Sequence, residues 1–153
     1  MIYTPKKICI VIANFYPEIS SDLLKGAENE LYKKKIKKIN THTEYYLEEK
    51  ISCYKIIKVP GVFEIPVSIV QEIEKSDGFI ALGCVIKGKT PHFDFISKTA
   101  TDAIMNLSIQ YKKPIGNGII TCLNKKQAVE RSNIKKKNKG GEAAKALLHL
   151  LVL

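Results

Sequence analysis

No run of about 18 consecutive apolar residues occurs in the chain, which excludes a membrane-spanning helix. The apolar stretch after MIYTPKK is short and β-branched, and no Ala-x-Ala-like cleavage site follows it. A buried strand is expected there rather than a secretion signal. Cysteines are few and scattered: Cys9, Cys53, Cys84 and Cys122 each sit in an apolar run, with no Cys-x-x-Cys pair and no nearby histidine. Zinc and disulfide frameworks show tighter spacing, so free buried thiols in a reducing cytoplasm are expected. Arginine is almost missing. Of 25 cations, 24 are lysines and one is Arg131. The net charge of +10 is therefore a lysine excess, weak evidence for any partner. The basic run YKKKIKK at Tyr32–Lys38 covers several sides of an expected helix, and no RNA-reading motif accompanies it. A solvated surface is expected, with no nucleic-acid or membrane partner. There is no internal repeat, linker or low-complexity tract, so one domain over 1–153 is expected.

What is present is alternation. Buried strands are expected at Lys7–Ala13, Ser52–Val59, Gly78–Ile86 and Pro114–Thr121, the last loosened by two glycines. Helical spacing marks Ile19–Ile39, started by Ser20, Ser21 or Asp22, and Gly61–Lys75, Pro91–Tyr111, Asn124–Ser132 and Gly141–Val152. Alternating strands and helices imply an α/β fold, a parallel sheet with helices on both faces. Ligands in such folds sit beyond the carboxyl ends of the strands, here after Ala13, Val59, Ile86 and Thr121.

Each of those ends carries groups worth weighing. Phe15-Tyr16 offers either a stacking face for a flat ligand or a lid on the core. Glu64 either complements a helix dipole or accepts hydrogen bonds from hydroxyls. Thr90 is an expected N-cap with Pro91 at the first helical position, and Gly88, Lys87 and Lys89 beside them suit an oxyanion. His92 next to such a cradle is placed to shuttle protons, or else it is a capping or core histidine. Arg131 could grip the same oxyanion or form an exposed helix ion pair. Lys139, after a basic flexible stretch, could face the same cleft.

Three motifs stand in order: VPGVFEIP at Val59–Pro66, ALGCVIKGKTPHFDF at Ala81–Phe95, and QAVER with NKGGEAA within Gln127–Ala144. Together they resemble the lumazine synthase family, from about Ile8 onward. The resemblance implies a three-layer α/β/α sandwich on a four-stranded parallel sheet in flavodoxin-like order 2-1-3-4. It implies a transferase of riboflavin biosynthesis that condenses 5-amino-6-(D-ribitylamino)uracil with 3,4-dihydroxy-2-butanone 4-phosphate. The products are 6,7-dimethyl-8-ribityllumazine, phosphate and water, and no metal or organic cofactor is used. A catalytically weak member that carries flavin or lumazine is the alternative.

The resemblance also assigns residues. Phe15 corresponds to the aromatic stacked on the pyrimidine. Val62, Phe63 and Glu64 line the ribityl and ring pocket. Cys84, Val85 and Ile86 meet the pyrimidine from a strand end. Lys89 and Thr90 hold the phosphate, and His92 transfers protons. Arg131 grips the phosphate from the neighbouring subunit's side, and Lys139 reaches the same shared cleft. The chain departs from the family pattern at four places. Asn117 stands where many members carry a ring-closing phenylalanine, and Lys89 where Ala or Glu is usual. Tyr16 replaces an asparagine, and SNIKKKNKG lacks the usual glycines. Family sites lie between subunits of a pentamer, and some members build icosahedral shells. The short segment before Lys7 leads to the expectation of a free homopentamer.

Overall fold

The computed structural model describes residues 4–41 and 50–153. Eight elements alternate as the pattern requires: β1 (Lys7–Ala13), α1 (Pro17–Lys33), β3 (Cys53–Val59), α2 (Ile65–Gln71), β4 (Gly78–Ile86), α3 (His92–Tyr111), β5 (Ile115–Cys122) and α4 (Lys125–Ser132). A short strand, β2 (Lys37–Lys38), precedes β3, and α5 (Lys139–Leu150) follows α4. The described strands form one five-stranded sheet in the order β2-β3-β1-β4-β5, and each neighbouring pair is parallel. The four expected strands keep their 2-1-3-4 order. The fifth, β2, is added outside β3, which corrects the four-stranded expectation.

β1 shows why the sheet divides the core. Its side chains alternate with period two. Ile8, Ile10 and Ile12 join Leu23 and Leu31 of α1 and Leu147 of α5 on one face. Cys9, Val11 and Ala13 join Ile65 and Ile69 of α2 and Ile104 of α3 on the other. Because both faces are covered, the strand reads as an unbroken apolar run. The result is three layers: α1, α4 and α5, then the sheet, then α2 and α3.

Several expected boundaries shift for physical reasons. Helix α1 begins at Pro17, whose fixed φ suits a first turn. Ser20 does not cap it; the Ser20 hydroxyl donates to the Ala13 carbonyl at 2.7 Å. The helix stops at Lys33, so YKKKIKK is not one helical surface. Lys35 takes a positive φ, and Ile36 and Ile39 turn inward on either side of the Lys37–Lys38 strand. The segment after β3 opens with a 3₁₀ turn, Val62–Glu64, and α2 ends at Gln71 rather than Lys75. Thr90 is not a cap: Pro91 occupies that position, and no side chain caps the helix. Helix α5 starts two residues early, at Lys139, because the Asn138 side chain accepts from the Gly141 amide.

The glycines of β5 prove to be packing devices, not weak points. A Cβ on Gly116 would stand 2.1 Å from the Ala143 carbonyl oxygen. On the α5 side, a Cβ on Gly140 would stand 1.9 Å from the Leu23 carbonyl oxygen. Both absences let α5 press against the sheet edge and against α1.

Candidate active site

A cleft of about 520 Å³ opens beyond the carboxyl ends of β1, β3 and β4. The pairing of β1 with β3 runs one step further, the Asn14 amide donating to the Val59 carbonyl at 2.9 Å, before the chains diverge. Phe15 then projects from the loop, 67% exposed, with its ring edge-on to Tyr16 at a centroid separation of 5.0 Å. Such exposure of a large aromatic at a cleft mouth is unusual for a core lid and suits a stacking face.

The opposite wall comes from the segment after β3. Val62 is buried and anchors the 3₁₀ turn, while Phe63 beside it is left exposed. Glu64 precedes α2 but makes no side-chain cap. A Cβ on Gly61 would lie 3.2 Å from a Glu64 carboxylate oxygen, so the carboxylate folds back over Gly61 at the cleft. The floor is the end of β4: Cys84, Val85 and Ile86. His92 and Ile96, one turn apart on α3, close the fourth side. His92 is exposed on the first turn of α3, where backbone N–H groups have no intrahelical acceptor.

Eight of the expected residues thus share one cleft: Phe15, Val62, Phe63, Glu64, Cys84, Val85, Ile86 and His92. Pro60, Gly61 and Ile96 line it too and were missed. Ile96 was findable, being four residues after His92 on one helix face. Lys89 and Thr90 lie in the exposed turn between β4 and α3 and line neither this cleft nor the next.

Asn117, Arg131 and Lys139 are brought together elsewhere. They line a second depression of about 210 Å³ on the outer edge strand β5, with α4 and the start of α5. The Asn117 carboxamide oxygen accepts from the Ile119 amide at 3.0 Å, holding the side chain against its own strand. Lys139 pairs with Glu142 at 2.7 Å. The charge of Arg131 acts on the Cys122 thiol behind it. Within one chain, therefore, the guanidinium and the imidazole occupy different clefts.

A doubly covered parallel sheet, with an aromatic-walled cleft past its strand ends, defines a flavodoxin-like α/β protein whose cleft lies where ligands sit in such folds. Comparison with known proteins narrows this. The profile of the 6,7-dimethyl-8-ribityllumazine synthase family matches residues 5–153. A protein of that name from Bartonella tribocorum is 40% identical, covering 95% of this chain and 88% of its own length. Those from Agrobacterium fabrum (38%; 95% and 93%) and Bartonella bacilliformis (41%; 95% and 88%) are similar. The chain belongs to the 6,7-dimethyl-8-ribityllumazine synthase family.

Proposed function

We propose that this chain is a transferase of riboflavin biosynthesis that joins 5-amino-6-(D-ribitylamino)uracil to 3,4-dihydroxy-2-butanone 4-phosphate, yielding 6,7-dimethyl-8-ribityllumazine, phosphate and water. Each active site forms where the large cleft of one copy meets the β5-edge depression of the next. The observation that carries this is the division of the site residues: the stacking aromatic and the proton carrier lie in one cleft, the phosphate cations in another. Either cleft alone holds only part of the required groups.

The roles follow from the chemistry. Phe15 stacks on the pyrimidine, Glu64 accepts from ribityl hydroxyls, and Val62, Phe63 and the β4 end shape the pocket. The amine attacks the ketone, and the resulting carbinolamine loses water. Both steps move protons, which His92 carries. Phosphate then leaves as an anion, stabilised by the neighbour's Arg131 and Lys139 with the Lys89–Thr90 turn. Asn117 contributes an amide where a second stacking ring is usual. Orientation of two bound substrates supplies much of the remaining acceleration.

The assembly we infer is a free homopentamer in the cytoplasm. Exposed apolar side chains on α3 (Phe95, Met105, Ile109) and α2 (Val67) support an oligomer, since such side chains call for a partner surface. Four buried free thiols fit a reducing compartment. No helix among the described residues is long and apolar enough to cross a membrane. No observation favours the carrier alternative.

Mixing the two substrates tests the reaction: the lumazine absorbance and released phosphate are expected together, and absence of both overturns it. Subunit mixing tests the shared site. Assayed with the phosphate-bearing substrate well below its KM, where H92A and R131A are each nearly inactive, the two variants reassembled at random should regain about a quarter of wild-type activity, because one interface in four then carries both intact halves. No recovery would place both groups in one chain's site. Native mass measurement checks the pentamer, which a shell-sized particle would overturn.

A further inference from the structure

The stacking proposed above depends on Phe15, whose side chain stands 67% exposed at the cleft mouth. Its backbone is pinned on both sides. Before it, the Asn14 amide donates to the Val59 carbonyl at 2.9 Å. After it, Tyr16 precedes Pro17, which disfavours the helical region, and Tyr16 stands extended at φ -116°, ψ 92°. The Ser20 amide donates to the Tyr16 carbonyl at 2.9 Å, and the Ser20 hydroxyl donates to the Ala13 carbonyl at 2.7 Å. The loop is thus tied to β3 and to the first turn of α1. What remains free is rotation of the Phe15 side chain, and exposed side chains change rotamer within picoseconds to nanoseconds.

Tyr16 is the neighbour that limits this rotation. It is half-buried, packs against the core layer that β1 shares with α1 and α5, and lines the cleft. The Phe15 and Tyr16 rings meet edge to face, with centroids 5.0 Å apart and planes at 69°. Theirs is the one ring pair in contact among the described residues. The positive edge of one ring against the negative face of the other makes that arrangement attractive. A ring rooted in the core therefore gives the exposed ring a preferred setting. We propose that Tyr16 is a positioning residue, whose core-anchored ring holds Phe15 at the angle presented to a flat ligand. This rests on the stacking role proposed for Phe15. The asparagine usual in the family at this position has no ring to offer, so the device belongs to this chain. A wall set in advance reduces the ordering cost of binding, so Tyr16 acts on affinity for the pyrimidine and not on the bond-making steps.

The chain has no tryptophan, so F15W carries a single fluorescent reporter at the stacking position. Its time-resolved anisotropy should show little fast wobble; the wobble should grow in F15W/Y16L, which keeps apolar volume without a ring, and shrink again in F15W/Y16F. Kinetics supply the second reading. Y16L should raise KM for 5-amino-6-(D-ribitylamino)uracil about two- to tenfold, the range for one aromatic pair, with kcat little changed. Y16F should restore KM, and adding Y16L to F15A should bring no further rise, because the ring that Tyr16 steadies is already gone. Wobble unchanged by Y16L would overturn the proposal. So would a KM effect that persists in full on F15A, since Tyr16 would then be touching the ligand itself. On the unaltered protein, three-bond couplings should give Phe15 one dominant χ1 rotamer, and averaged couplings would overturn the proposal even where Y16L fails to fold. Restrained wobble in a protein that forms no lumazine would sink the reaction and leave the positioning role standing, so the two failures are told apart.

Discussion

His92 and Arg131 line different clefts, and the proposed mechanism gives them roles that kinetics would separate. His92 lines the cleft; on the proposed mechanism it moves protons once both substrates are bound, so its loss should fall on turnover. H92A should lower kcat by about 10²-fold or more with a smaller change in KM. A wild-type kcat would remove His92 from the mechanism. Arg131, on the proposed mechanism, grips the phosphate, so its loss should fall on binding. R131A should weaken the phosphate-bearing substrate by about 1.5–3 kcal/mol, the range for a charged hydrogen bond. An unchanged affinity for that substrate, measured by titration or KM, would count against the assignment. Glu64 was open between dipole partner and ligand group when only its place near a helix start was known. The missing side-chain cap and the carboxylate's return toward Gly61 favour the second use.

Among the elements, the contact between α5 and α1 leaves the least room. Gly140 lies almost against the Leu23 carbonyl, which is backbone and cannot step aside as a flexible side chain can. G140A should destabilise the fold by at least about 1–3 kcal/mol through overpacking, read as a lower urea midpoint with an unchanged slope. Equal midpoints would mean that α1 and α5 separate freely. The same elements show what could be read in advance. β1 and β4 were legible because burial on both faces demands unbroken apolar residues. β2 was not, since Lys37 and Lys38 carry no apolar signal and pair only because Ile36 and Ile39 are buried beside them. The glycines of β5 looked like weakness because a sequence shows what a residue lacks, not what fills the space. The Thr90 cap failed because Pro91 itself took the cap position. Half of the cleft was legible as strand ends; that Asn117, Arg131 and Lys139 lie at another edge depends on how far β5 stands from β1, which spacing along the chain does not reveal.

Taken as a whole, the molecule should lose stability at alkaline pH. Burial and the Glu28 carboxylate raise the Tyr54 phenol from its usual 10.0. Burial raises Cys84 and Cys122 from 9.0. Each group binds its proton more tightly when folded than when unfolded. Their contribution is therefore full below the unfolded values and is lost as pH climbs through them toward the folded ones. The urea midpoint should fall between about pH 8.5 and 11, and Y54F should flatten the part above about pH 10. A midpoint constant over that range would mean these groups ionise alike in both states.

The separation of the two clefts on one chain has a geometric corollary. Where unlike patches complete each other, the joint has a head and a tail, and a two-fold pair cannot satisfy both ends of every member. Such joints either bend round until the last tail meets the first head or continue indefinitely as a fibre. On the shared-site reading, the angle between the β5 edge and the mouth beyond β1 would decide between a closed ring and a filament, and a substitution that changed only that angle would alter the shape of the particle before it altered any reacting group.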